Sequence, residues 1–345
     1  MTTSQTFKVG LTRDLLTAAG KPSFGEAPLA LLDNAAHLEW EFIPESVDAL
    51  TPAMLARYDA IYVNTPKVTA QSFGDATPRV KIIARHGVGY DSVDLSSLTA
   101  RGVLLTNTPV AVRRPVATMA MTFVLALAQK LLMKVQLTRT GRWNERNDHM
   151  GQGLTGKVIG VIGAGSIGLE CIKLARAFDM ATLAADPFVE TGVVTQQGAT
   201  LVSLDALLQR SDFVVVACLL NDATRHLINA QRLAQMKPGA YLINVARGPI
   251  VDEAALINAL QRGVIAGAAL DVFEQEPVHK DNPLLTMDNV IVTPHALCWT
   301  DECFDGIARS GLGAIVDALA HRTPPHVVNR DVLARPEVKR WFYSA

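Results

Sequence analysis

Residues 157–168 read KVIGVIGAGSIG. An apolar run of the kind that forms a strand buried on both faces leads directly into Gly163, Gly165 and Gly168, spaced G-x-G-x-x-G. The helical pattern SIGLECIKLARAF (166–178) follows at once, and the next strand-like run, MATLAAD (180–186), ends in Asp186. A lone glycine turn is weak information; strand, turn, helix and acid in this order form a dinucleotide-binding fingerprint. Gly163 permits the tight turn, Gly165 lets the backbone approach a pyrophosphate, and Gly168 lets helix and strand close together. The amides of Ser166 and Ile167 then point at the pyrophosphate from the helix N-terminus, where the dipole favours an anion. Asp186 is placed to accept hydrogen bonds from the adenosine ribose. Its charge repels a 2′-phosphate and no arginine follows within a few residues, which favours NAD over NADP.

Working outward, FVVVAC (213–218), AYLINVA (240–246), GAALDV (267–272) and NVIVT (289–293) read as further strands. Helical patterns sit between several of them at 204–209, 230–236 and 252–262, so the spacing predicts a doubly wound parallel sheet of six or more strands. Upstream, FKVGL (7–11), LEWEFI (38–43), AIYVN (60–64), VKIIAR (80–85) and VLLTN (103–107) alternate with helical patterns near 26–36, 46–56 and 94–100. They predict a second parallel sheet. Thr108-Pro109 and Pro115 punctuate the chain, and one long helix is expected from about 115 to 137. The pattern from Trp299 to about His321 is helical until Pro324-Pro325. A tail of that size cannot bury a core alone. It is expected to pack back on the N-terminal piece, giving one α/β domain from 1–107 plus 298–345 with the other, 108–297, inserted into it.

Composition bounds the function classes. A length of 345 residues suits about two domains. Apolar residues are 49% and charged residues 19%, below the ~25% usual for soluble domains. Lys plus Arg is 32 and Asp plus Glu is 33, a net charge of −1, which argues against a bulk electrostatic grip on nucleic acid or an anionic membrane. Four cysteines (171, 218, 298, 303) without a CxxC make no disulfide framework. The start, MTTSQTFKVGLTRD, lacks the basic, apolar and small-residue segments of a secretory leader. The most apolar stretch, Val116 to Ala128, falls short of the ~20 residues needed to span a bilayer. A cytoplasmic protein without nucleic-acid or membrane partners is expected. Cys298 and Cys303 lie near His295, but C-x4-C with one histidine is weak support for zinc, and no metal is expected. His86, at a strand end, is expected to be structural.

Polar residues stand where apolar strands finish, the edge at which open α/β sheets bind ligands. Arg247 follows LINVA, Asp271 follows GAAL and opens the run to Glu276, and His295 follows VIVTP. A strand buried on both faces has no packing reason to end in such groups, and their convergence on one nucleotide sheet points to catalysis. Together with GVGYDSVDL (87–95), NTP (107–109), VIGAGSIG (161–168), NVARG (244–248), ALDVFEQEP (269–277) and TPH (293–295), the chain resembles the D-isomer-specific 2-hydroxyacid dehydrogenases.

That resemblance implies a Rossmann NAD domain inserted into a discontinuous flavodoxin-like substrate domain. It implies a homodimer through the NAD domain and the 115–137 helix, acting on a small 2-oxo or 2-hydroxy acid. Arg247 is then the group that binds the substrate carboxylate and polarises the 2-oxo oxygen. His295 is general acid in reduction and base in oxidation, and Glu276 pairs with it and raises its pKa. Asp271 corresponds to the residue that orients the nicotinamide carboxamide. Val245, Ala246, Arg247 and His295 also border the cofactor, and the amides of Val88 and Gly89 cradle the substrate carboxylate.

The chain departs from the family in two places. Thr118 stands in RRPVATM where an acid is usual, just after Arg113 and Arg114. Ala-Leu-Cys-Trp-Thr (296–300) follows TPH in place of small residues and glycines, so Trp299 is a candidate to line the pocket. Alternatives on the same scaffold are a formate- or phosphite-type dehydrogenase, against which Glu276 speaks because formate-type relatives place Gln there, and an NAD-sensing corepressor-like interaction protein. No appended regulatory domain is expected after the closing helix.

Overall fold

The computed structural model describes residues 6–74 and 77–343. Met1–Gln5, where the stretch read for a leader begins, lie outside the described residues. The chain divides into two compact units, Met1–Val112 with Thr300–Ala345, and Arg113–Trp299.

In the first unit, strands β1 (Phe7–Leu11), β2 (Leu38–Phe42), β3 (Ala60–Val63), β4 (Ile82–Arg85) and β5 (Leu104–Thr106) form a sheet of order β2-β1-β3-β4-β5. Every pairing is parallel, with Val9 opposite Ala60, Ala60 opposite Ile82 and Ile82 opposite Leu104. That is the flavodoxin-like order. Side chains alternate across the pleat. Leu11, Tyr62, Ile82 and Ala84 pack on the helix Asp301–Leu319 through Ala308, Leu312 and Ile315. Ile61, Val63, Ile83 and Leu105 face the opposite layer with Met54, Leu55 and Leu98.

In the second unit, strands β6 (Val158–Ile162), β7 (Ala181–Ala185), β8 (Thr200–Leu201), β9 (Phe213–Val216), β10 (Tyr241–Asn244), β11 (Gly267–Leu270) and β12 (Val290–Val292) run parallel in the order β12-β11-β10-β9-β6-β7-β8. Strand order reverses between β6 and β9. Such a switch point is where a doubly wound sheet opens a ligand crevice at the carboxyl ends of its strands. Strand β8 and the helix Thr191–Gln196 were not foreseen, because two strand residues leave no apolar run to read.

The expected 115–137 helix is corrected to two, Pro109–Ala128 and Leu131–Arg139. Pro109 opens the first, where its missing N–H costs nothing, so Pro115 lies inside the helix rather than at its start. Lys130, left-handed at φ 49°, separates the two. The 20-residue first helix is long and apolar enough to cross a bilayer by length and composition. Of its most apolar window, 56% is buried within the protein, as in a core helix.

Candidate active site

The glycine turn after β6 has the geometry its spacing implies. Gly163 has φ +94°, and a Cβ on Gly168 would stand 1.9 Å from the Gly163 carbonyl oxygen, so helix and turn touch through backbone alone. A Cβ at Gly165 would meet nothing within 4 Å. That open cradle sits at the N-cap of the helix Ser166–Arg176, whose first amides no side chain caps. Asp186 is held in register with the turn: one carboxylate oxygen accepts from the Ala164 amide and the other from the Phe188 amide, both at 2.8 Å. The residues fit a dinucleotide, with a pyrophosphate over Gly165 and a ribose at Asp186. On the same helix, Glu170 lies 2.7 Å from Arg114 and 3.8 Å from Arg113, which partly neutralises both arginines.

Next along the sheet edge, Asn244 is fully buried at the end of β10. Its side-chain amide donates to the Arg247 carbonyl at 2.9 Å, while its oxygen accepts from the Ala246 amide at 3.1 Å, so one residue shapes the whole Val245–Arg247 loop. Val245 also donates its amide to the Val216 carbonyl. Arg247 is extended and places one guanidinium nitrogen 2.8 Å from the Ala246 carbonyl. A Cβ on Gly248 would lie 1.8 Å from the Phe273 carbonyl oxygen, so this loop presses on the exit of β11.

Asp271 is 1% exposed. Its Oδ1 accepts from the Thr293 hydroxyl at 2.5 Å and from the amides of Ala296 and Leu297 at 3.1 and 3.2 Å. The acid thereby fixes the loop after β12, on which His295 adopts a left-handed φ of 54°. His295 Nδ1 stands 2.8 Å from Glu276 Oε2, and Glu276 Oε1 accepts from the Phe273 amide at 3.0 Å.

The hydrogen bond to Glu276 holds the His295 pKa above its ordinary value, against burial and the charge of Arg247. Burial pushes the Glu276 carboxyl up, but the hydrogen bonds from His295 and the Phe273 amide outweigh it and leave the carboxyl below its usual range. An ionised carboxylate only accepts, so His295 Nδ1 carries a proton and Nε2 is the ring nitrogen left for another partner. The two side chains are 44% and 37% exposed, so the pair can exchange protons with solvent.

Arg247, Asp271, Glu276 and His295 thus belong to one edge of the second unit. Val88 and Gly89 belong to the first unit, in the turn after β4. There the Val88 carbonyl accepts from the Asn107 side chain at 2.8 Å and the Gly87 carbonyl from the Thr108 amide at 3.1 Å. His86 is buried, with Nδ1 2.6 Å from the Tyr62 hydroxyl. Burial, with Arg85 adding to it, drives its pKa down to about 3, so it is neutral at physiological pH. Trp299 is 59% exposed, Cys298 is half-buried and Cys303 is buried. The Thr118 hydroxyl donates to the Arg114 carbonyl within its own helix.

Asn244, Thr293 and Asn107 act through other residues; they stand within NVARG, TPH and NTP, but the sequence reading gives them no role. Phe188, 92% exposed beside Asp186, escaped it.

A sheet of this order, with a glycine cradle at its crevice and arginine, paired acid and histidine on neighbouring strand ends, defines a dinucleotide-dependent oxidoreductase. Residues 121–296 match the family described as D-isomer specific 2-hydroxyacid dehydrogenase, NAD binding domain. The chain is 38% identical over 293 residues to a glyoxylate reductase of Thermococcus onnurineus, covering 83% of this chain and 84% of that protein. It is 41% identical over 260 residues to a D-3-phosphoglycerate dehydrogenase of Archaeoglobus fulgidus, covering 75% of this chain and 48% of that longer one. Among solved structures, the D-lactate dehydrogenase of Aquifex aeolicus complexed with NAD and lactic acid superposes with a TM-score of 0.78 at 28% identity, over 90% of this chain and 95% of that one. The chain belongs to the D-isomer specific 2-hydroxyacid dehydrogenase family, and it is an NAD-dependent enzyme.

Proposed function

We propose that this enzyme reduces a small 2-oxo acid of the glyoxylate size class to the 2-hydroxy acid, with the D configuration where C2 is chiral, and that Arg247, Glu276 and His295 carry the reaction. The observation that carries this reading is the 2.8 Å His295–Glu276 pair at the sheet edge, with Arg247 near enough to act electrostatically on both. NADH, when bound at the glycine cradle, supplies the hydride that C2 receives. Arg247 binds the substrate carboxylate and polarises the 2-oxo bond, so charge developing on that oxygen meets a fixed cation. His295 Nε2 delivers the proton to the same oxygen, and Glu276 keeps the imidazolium populated toward neutral pH. Asp271 holds the His295 loop in place and is assigned to the nicotinamide carboxamide, with Val245 and Ala246 beside it. In the first unit, the amides of Val88 and Gly89 are assigned to carboxylate recognition.

The deciding experiment is NADH oxidation with glyoxylate, hydroxypyruvate, pyruvate and bulkier 2-oxo acids. Turnover fastest on the smallest members supports the proposal. Tight NADH binding without turnover on any member would sink it.

The enzyme is further proposed to be a homodimer. In the second unit Leu131, Leu132, Val135, Trp143 and Met150 are 36% to 78% exposed on and just after the helix Leu131–Arg139. Apolar side chains gathered on one segment mark an interaction surface more than a solvent face.

A further inference from the structure

The first unit contains a cavity of about 980 Å³ that the proposed reaction does not use. It opens at the amino ends of β4 and β5, where Lys81 precedes one strand and Arg101 the other. The turn carrying Val88 and Gly89 leaves the carboxyl end of β4. The length of that four-residue strand, roughly 13 Å at ~3.3 Å per residue, separates the two ends. The cavity's far wall is the helix Pro336–Tyr343, which contributes Glu337, Arg340 and Trp341, with Arg335 just before it. Its size falls in the range of small-molecule sites.

The lining is strongly biased in charge. Lys81, Arg101, Arg335 and Arg340 supply basic side chains, and Glu337 is the single carboxylate among the described lining residues. That carboxylate is committed to Arg335, whose Nε lies 2.5 Å from it, and the pairing holds its pKa below the usual carboxylate range. The Arg101 guanidinium is held in place over the Phe73 ring, 4.8 Å from its centroid, and bonds the Ser97 carbonyl. His321 braces the wall, its Nδ1 donating to the Trp341 carbonyl at 2.7 Å. Cations gathered in a concavity repel one another, a cost that a bound anion relieves, and guanidinium groups suit the planar or tetrahedral oxygens of such a ligand.

We propose that this cavity binds a compact multivalent oxyanion, at a site separate from the one that takes NAD and the 2-oxo acid. Phosphate esters and polycarboxylates share that chemistry, so pyrophosphate and citrate are the two probes. Each is titrated calorimetrically into the full-length enzyme saturated with NADH, which removes the glycine cradle from competition. The expected result is saturable binding of at least one probe, weakened tenfold or more by Lys81→Glu and by Arg340→Glu. Both variants should keep the wild-type turnover, because neither residue belongs to the proposed reaction. Binding of pyrophosphate alone identifies a phosphorylated ligand, and binding of citrate alone a polycarboxylate. The milder Lys81→Gln and Arg340→Gln replace the reversals where those fail to fold. No saturable heat with either probe, or equal affinity in wild type and variants, overturns the proposal.

Discussion

His295 and Glu276 are joined by a 2.8 Å hydrogen bond that reaches from the loop after β12 to the segment after β11. Its consequence is electrostatic: the histidine's pKa is raised and the glutamate's is lowered. In the proposed reduction the protonated imidazole is the proton donor, so activity is expected to fall as pH rises through the His295 pKa. Glu276→Gln keeps the shape of the partner but removes its charge. The alkaline limb of kcat for 2-oxo acid reduction should therefore move to lower pH, with KM for NADH little changed. A pH profile superimposable on wild type would show that the pairing does not set the proton affinity.

His295→Asn should cost about 10²- to 10⁴-fold in kcat, the usual contribution of a positioned general acid. NADH affinity, read by fluorescence titration, should stay within a few-fold of wild type, because the glycine turn and Asp186 lie on other strands. Retained turnover would remove His295 from the proposed role.

Asp186 ties its carboxylate to the amides of Ala164 and Phe188, so its removal should affect both ribose recognition and the turn itself. For Asp186→Ala, the ratio of kcat/KM with NADH to that with NADPH should fall by tenfold or more, since repulsion of the 2′-phosphate disappears. Comparing the two cofactors on the same variant separates that effect from general damage to the turn. An unaltered ratio would mean that another residue selects the cofactor.

Much of this was legible because parallel strands buried on both faces leave continuous apolar runs, and a polar residue ending such a run stands out. Arg247, Asp271 and His295 stood out that way, and Gly163, Gly165 and Gly168 by their spacing after such a run. The break at Lys130 was not legible, since nothing in Gln129-Lys130 forbids a helix. Asn244 and Thr293 were quoted within motifs but given no role, for a different reason. Their work is to hydrogen-bond the loops that carry Arg247 and His295, and a residue acting through a second residue leaves no spacing of its own. The cavity beside Arg340 escaped because its cations come from three separate stretches of the chain, around Lys81, Arg101 and Arg335–Arg340.

The proposed dimer gives a test of the exposed segment at 131–150. Leu132→Asp with Val135→Asp places two charges on a surface that should be desolvated by the partner, while both side chains are already exposed in one chain. The expected outcome is a shift from dimer to monomer in sedimentation, with secondary structure unchanged. Identical sedimentation of variant and wild type would place any interface elsewhere.

Gly248→Ala probes how the Arg247 loop is seated. The added methyl has no room beside the Phe273 carbonyl oxygen, 1.8 Å from the ideal Cβ position, and backbone on both sides must move. Overpacking of that kind typically costs ~1–3 kcal/mol, to be read from chemical denaturation. Because Arg247 immediately precedes the displaced residue and Glu276 follows Phe273 closely, the shift should also separate the guanidinium from the His295–Glu276 pair. KM for the 2-oxo acid should then rise together with a fall in kcat, while NADH affinity holds. Loss of stability with unchanged kinetics would mean that the loop relaxes away from Arg247, and that the contact with Phe273 serves packing alone.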